Sequence, residues 1–231
     1  MNENITENIL KIQERISKAA LRSGCKIDDI KIVAAIKNIP LEKIMTAIDG
    51  GIAHVGENRV RDAVIKFNGI GDVVKWHFIG HLQRNKVKHI IPFTDLIHSV
   101  DSLRLAFEID KQAKKIRKVQ KILLEVNVSG EESKFGFSPD DVLEKVKEIG
   151  GLGNIKIEGL MTIAPFFAGQ NDLRKVFKGL KEVFENIKRK DVYNVNMSYL
   201  SMGMTNDFEI AIEEGANMVR IGTGIFGLRE V

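Results

Sequence analysis

An arginine inside an apolar run that opens into a glycine-rich turn can hold an anion, and Asn217 to Gly227, reading NMVRIGTGIFG, is such a stretch. In strand geometry Arg220 and Gly222 point to one face while Val219 and Ile221 point to the other, so a cation and open backbone N–H groups would meet one ligand. Taken alone, the stretch is also explained by a buried strand with a salt-bridged arginine. Gly222, Gly224 and Gly227 fit the spacing GxGxxG, but a dinucleotide fold is rejected: that fingerprint needs a helix and then a ribose-binding carboxylate, and the sequence stops at Val231. The second reactive residue is Lys37, which closes the apolar segment IKIVAAIK, Ile30 to Lys37. If Ile36 faces outward, Lys37 faces the open end of the fold, where loss of water favours the neutral amine that attacks carbonyls. Taken alone, it reads first as a lysine that marks a strand exit and reaches back to water.

These residues lie at opposite ends of the chain, so a scaffold must bring them together. Ile9, Ile12, Ile16 and Ala19 recur at spacings of three and four, which predicts an amphipathic N-terminal helix ending near Gly24. Ile30 to Lys37 then reads as a strand buried on both faces, and Pro40 opens a helix closed by Gly50 and Gly51. Further strands are expected at Ala53 to Asn58, Trp76 to Gly80, Leu96 to Val100, Lys121 to Asn127, Ile155 to Ile163, Asn194 to Met202 and Met218 to Gly222. Helical patterns separate them, the clearest placing Val176, Phe177, Leu180, Val183, Phe184 and Ile187 on one face. Strands alternating with helices to a total of eight predict an α/β fold, a single (β/α)8 TIM-type barrel of one domain over residues 1–231, with the leading helix covering the seam between last and first strands. An open doubly wound sheet is the structural alternative.

Composition narrows the function. The 44% hydrophobic content is ordinary for a globular chain, and no apolar run approaches the roughly 20 residues of a membrane span. MNENITENIL is not a secretory signal and a lone Cys25 excludes an intrachain disulfide, so a cytoplasmic protein is expected. A net charge of +4 is too mild to argue for nucleic acid, and the basic segment Lys111 to Lys121 reads as a solvated helix face without interleaved aromatics.

Chemistry in a barrel belongs at the C-terminal strand ends, which read Lys37, Asn58, His77 with Gly80, Ser99, Asn127, Met161, Ser201, and Arg220 with Gly222 and Thr223. The nearby carboxylates Glu57 and Glu125 have no defensible pairing, which argues against a two-carboxylate hydrolase. His77 and His81 stand four apart, but the intervening FIG reads as a strand end rather than a helix, so no metal site is expected. A closed barrel sets its first and last strands side by side, joining Lys37 to Arg220 and the Gly222–Thr223 backbone. An amine, a phosphate cradle and a cation between them describe a pocket for pyridoxal 5'-phosphate (PLP). Ser201 would add a hydroxyl to the phosphate, and the helix beginning at TNDFEIAIEEG would turn its N-terminus to the same anion.

IVAAIK, HVGEN, WHFIGHLQRNK, VNVSGEESKFG, EGLMTI, YLSMGMTNDFEIAI and VRIGTGIFG together resemble the pyridoxal phosphate homeostasis proteins, PLP-binding barrels similar to the N-terminal domain of alanine racemase. The resemblance runs from Ile30 to Gly227. It implies that Lys37 is the aldimine lysine, that Arg220 faces the pyridine nitrogen, that Ser201, Gly222 and Thr223 hold the phosphate, and that Asn58 lies beside the cofactor. Members of the family are described as cofactor carriers or regulators without an established catalytic reaction. The chain departs from the family's pattern at Ile36, where serine is common, and at Arg61, where glutamine often follows GEN by three positions.

An arginine at the pyridine nitrogen only donates, so the ring stays unprotonated and is a weak electron sink. Racemisation also needs acid/base groups on both faces of the substrate carbon, and Tyr193 and Tyr199, the only tyrosines, supply no opposite face. The expectation is therefore a monomeric barrel that carries PLP in intracellular homeostasis, exchanging it with solvent or client apoenzymes, without catalysis, nucleic acid or membrane. Two other classes stay open: an enzyme, either an amino-acid racemase or a barrel acting on phosphorylated sugars, and a binding module using the basic segment.

Overall fold

The computed structural model describes residues 4–131, 134–165 and 168–227. The chain ends, and Glu132 and Ser133 of VNVSGEESKFG, lie outside the described residues. Helix α1, Ile5–Ser23, starts where the Asn4 side chain accepts the Glu7 N–H and ends at Gly24, whose φ of 72° is the left-handed conformation that closes helices cheaply. Then follow β1 (Lys31–Ala35), α2 (Leu41–Asp49), β2 (His54–Glu57), α3 (Val60–Ile70), β3 (Lys75–Phe78), α4 (Val87–Ile90), β4 (Leu96–Val100), α5 (Leu103–Lys115) and β5 (Gln120–Glu125). The second half comprises α6 (Pro139–Gly150), β6 (Ile155–Met161), α7 (Gln170–Lys188), β7 (Val195–Met204), α8 (Phe208–Glu213), β8 (Met218–Ile221) and α9 (Thr223–Phe226).

The eight strands form one closed parallel barrel in chain order, β8 pairing with β1 so that Val33 lies opposite Arg220. This is a TIM-type barrel, not the open doubly wound sheet that the same alternation of strand and helix also allows. Period-two alternation sorts the side chains: Val33, Ile79, Leu96, Leu123, Met161 and Met218 pack inside the barrel, whereas Ala34, Ile36, Val55, Phe78, Ile97 and Val219 join the layer between strands and helices. Helix α1 lies against α2, α8 and α9, with Ile9, Ile12 and Ile16 buried and Asn8 Nδ2 donating to Ile225 O at 3.1 Å. It covers the region where the barrel closes.

Several expected boundaries are corrected. β1 stops at Ala35, so Lys37 sits in the turn just beyond the strand. β7 runs to Met204 rather than Met202, because β7 carries one extra residue against β8: Ser201 faces Met218 and Met204 faces Arg220. The glycine-rich turn after β8 does lead into a helix, but α9 is a single turn. The segment Lys111 to Lys121 is not one helix either; it spans the end of α5, a turn at Arg117 (φ 55°) and the start of β5. There Lys118 bends inward, its Nζ donating to Ile91 O and Thr94 O at 2.6 Å each.

Candidate functional site

A cavity of about 640 Å³ opens at the C-terminal end of the barrel, and Lys37, Asn58, Thr205, Arg220, Gly222 and Thr223 line it. They converge because β7, β8, β1 and β2 are consecutive around the barrel, so their ends form one wall of the mouth. Lys37 is half-buried. Arg220 is 4% exposed, and burying a guanidinium is costly unless its N–H groups are bonded. Nη1 donates to Ser201 Oγ at 2.7 Å and Ser201 O at 3.0 Å, and Nη2 donates to Thr162 O at 2.9 Å. A guanidinium has five N–H donors, so the Nε–H and one Nη2–H remain for the cavity. Burial pulls the Arg220 pKa down to about 10, opposed by the charges of Asp207 and Glu125, which leaves it a cation at neutral pH.

Asn58 is set by its neighbours. Glu57 is fully buried; its Oε1 accepts the N–H groups of Asn58 (2.6 Å) and Arg59 (3.3 Å), and its Oε2 accepts Lys66 Nζ at 2.5 Å. Lys66 Nζ also donates to Ile36 O, so one buried ion pair ties the Asn58 loop to the strand exit that carries Lys37. Gly80 packs on the same loop, where a Cβ would collide with the Asn58 carbonyl.

Ser201 does not line the cavity. It lies three residues below the end of β7, is fully buried, and its hydroxyl is engaged by Arg220 and by His98 Nδ1 at 3.0 Å. Ser201 was expected at the strand end; the longer, irregular β7 places it below the mouth and puts Thr205 at the exit. Thr205 Oγ1 accepts the Gly224 N–H at 3.2 Å, joining the β7 exit to the turn after β8. Next to it, Asp207 Oδ1 accepts the Met204 N–H, and burial holds its carboxyl above the usual range, offset by that hydrogen bond and by Arg220.

The opposite side of the mouth is different. Burial first, and then Asp101, push Glu125 up to about 7, with Arg220 opposing. His81 Nδ1 meets Asp101 Oδ2 at 3.1 Å and its ring stacks on Phe135 at 3.9 Å, while Ser99 Oγ donates to Gly80 O and Asn127 Oδ1 accepts the Gly130 N–H. His77 points into the barrel interior instead, so the two histidines do not share a site, and among the described residues no group of three His, Cys, Asp or Glu side chains is arranged to hold a metal ion. Tyr193 is exposed and Tyr199 packs near the barrel floor; neither lines the cavity.

Sequence reading missed Thr205 and two interior histidines, His54 and His98, which with His77 form a hydrogen-bonded file. Their signal was available. Each alternates with an outward apolar residue, Val55, Phe78 or Ile97, and inward parity on three consecutive strands places them together.

Residues 2–230 match the family model for the alanine racemase N-terminal domain. A pyridoxal phosphate homeostasis protein of Aquifex aeolicus is 44% identical over 228 residues, covering 98% of this chain and 99% of its own. A solved structure of a protein from Bifidobacterium adolescentis superposes with a TM-score of 0.93 at 35% identity, covering 96% of this chain and 94% of that one. PipY of Synechococcus elongatus, solved with PLP bound, gives a TM-score of 0.81 at 32% identity, covering 94% of this chain and all of that one.

Proposed function

This chain belongs to the pyridoxal phosphate homeostasis family, whose barrel is that of the alanine racemase N-terminal domain, and from that premise we propose that it holds PLP covalently on Lys37 as a carrier rather than a catalyst. The residues present fit the group. PLP has a phosphate, a ring nitrogen with a lone pair and an aldehyde, and the cavity wall offers Thr205, Thr223 and the Gly222–Thr223 backbone, the remaining N–H edge of Arg220, and the Lys37 amine. When bound, PLP supplies an aldehyde that condenses with a primary amine and releases one water.

This chain's residues do the rest. Lys37 Nζ provides the amine, held near the pocket by the Glu57–Lys66 pair acting through Ile36 O. Arg220 donates without giving up a proton, which keeps an acceptor at its edge unprotonated. Asn58 flanks the pocket from the β2 exit. The observation that carries the reading is the convergence of an amine, a cation and a hydroxyl-rich turn in one cavity. The carrier reading follows from the other wall of the mouth, where the ionisable groups Glu125, Asp101 and His81 lie outside that cavity. We further propose a single-domain, monomeric, cytoplasmic protein whose clients are PLP-dependent apoenzymes; no helix among the described residues is long and apolar enough to cross a membrane.

Absorbance titration with PLP, followed by transfer to a purified apoenzyme, tests this. The reading expects saturable binding of one PLP per chain and restoration of apoenzyme activity. Failure to bind, or steady turnover of an amino acid that vanishes in Lys37→Ala, would contradict it.

A further inference from the structure

Beneath the cavity, three imidazoles run in file through the barrel interior. His54 Nδ1 lies 3.0 Å from His77 Nε2, His77 Nδ1 lies 2.8 Å from His98 Nε2, and His98 Nδ1 lies 3.0 Å from Ser201 Oγ. Ser201 Oγ in turn accepts from Arg220. His54 is partly exposed at the far end, whereas His77, His98 and Ser201 are buried.

The proton positions follow from the Arg220 end. A guanidinium can only donate, so Ser201 Oγ must accept there, and its own hydrogen needs an acceptor in a buried place. Among the described residues that acceptor is His98 Nδ1. A neutral His98 then carries its proton on Nε2 and donates to His77 Nδ1. His77 by the same reasoning donates from Nε2 to His54 Nδ1, and His54 keeps its proton on Nε2.

We propose that His98, His77 and His54 are positioning residues for Arg220, a file with every proton on Nε2 that holds Ser201 Oγ as an acceptor and so fixes which edge of the guanidinium faces the cavity. A doubly protonated His98 would donate from both nitrogens, confront Ser201 with two donors and break the order. The surroundings oppose such a charge. Burial, then His54 and Lys31, pull His77 down to about 3; burial, then His77, Arg220 and His54, hold His98 well below its ordinary value. His54 is lowered by burial and by Lys31 and Lys75, against Asp95. The consequence for a ligand rests on the cofactor reading of the cavity, but the proton order is a property of the ligand-free protein.

Long-range proton–nitrogen correlation spectra of the ligand-free chain, labelled at its histidines, read that order directly. All three imidazoles are expected to carry the proton on Nε2 with Nδ1 bare; a protonated Nδ1 on His77 or His98 overturns the proposal. A paired substitution then tests the link to the pocket. Glutamine can accept and donate much as the imidazole does, whereas leucine cannot, so PLP affinity should fall about tenfold in His98→Leu and stay within about twofold in His98→Gln, the scale expected for one hydrogen bond to a charged partner. Equal loss in both variants, or no loss in His98→Leu, would overturn the positioning role. Failure of the unaltered chain to bind PLP would instead defeat the cofactor reading, and the spectra would still decide the file.

Discussion

The two walls of the barrel mouth are both built from strand ends, yet their chemistry is opposite. The wall of β7, β8, β1 and β2 gathers Lys37, Arg220, Thr205 and Thr223 around a cavity, and hydrogen bonds to Thr162, Ser201, Glu57 and Lys66 hold its parts in place. The wall of β3 to β5 carries acids, Glu125 and Asp101, with His81 turned aside onto Phe135. A ligand seated on the first wall meets cations and donors, and Asp207 is the one carboxylate that lines the cavity among the described residues. Catalysis at a carbon of that ligand would need a positioned acid or base across from them, and the polar groups of the second wall do not line the cavity. Among the described residues this contrast between the walls is what the proposed carrier role rests on.

The largest expected effect comes from removing the reactive amine. Lys37→Ala should abolish covalent attachment and weaken PLP binding about a hundredfold, while leaving residual binding that free phosphate competes away; equal affinity in the variant would remove the covalent part of the account. Next is the buried pair behind that wall. Lys66→Met strands the Glu57 carboxylate in a fully buried site, which typically costs about 3–5 kcal/mol, and denaturant melts should show that loss. Adding Glu57→Gln to Lys66→Met should recover part of it, and a change under about 1 kcal/mol in the single variant would mean the pair does not hold the Lys37 turn.

A smaller effect belongs to Thr205. Thr205→Val keeps the shape and deletes the hydroxyl, so PLP affinity should drop about tenfold, whereas Ser201→Ala should act through Arg220 and change the spectrum of the bound ring rather than phosphate competition. Loss of phosphate competition in Ser201→Ala but not in Thr205→Val would reverse that assignment.

The smallest effect on binding should come from the second wall. Glu125→Gln should leave PLP affinity within about twofold and act on stability instead. The folded Glu125 titrates near 7 against 4.5 for an ordinary glutamate, so the folded state holds an extra proton between those values. Its contribution is full below 4.5 and is lost as pH rises through 7. The glutamine variant should therefore be more stable than the parent at pH 8, by roughly 2 kcal/mol, and lose that advantage at pH 4. A tenfold change in affinity in this variant would erase the distinction between the walls.

What the sequence disclosed follows the same geography. All eight strands were legible because buried parallel strands leave short β-branched runs between helical periods, and closure of the barrel brought Lys37 and Arg220 to one cavity across most of the chain. The depth of Ser201 and the exit position of Thr205 were not legible because counting along a strand assumes unbroken alternation, and β7 breaks it: its pairing with β8 shifts between Ser201 and Met204, near Gly203 with φ 90°. The role of Glu57 was hidden for another reason. Its partner Lys66 comes from α3, and only the packed structure shows that Lys66 reaches Ile36 O while Glu57 accepts the Asn58 N–H.

Borohydride reduction of the protein mixed with PLP, followed by peptide mass mapping, bears most directly on the central claim, since hydride converts a carbon–nitrogen double bond between cofactor and lysine into a stable amine. The account predicts a single modified residue, Lys37, in a chain where many other lysines are exposed to reagent. Label scattered over surface lysines, or absent altogether, would contradict it and leave the cavity to a different phosphorylated ligand.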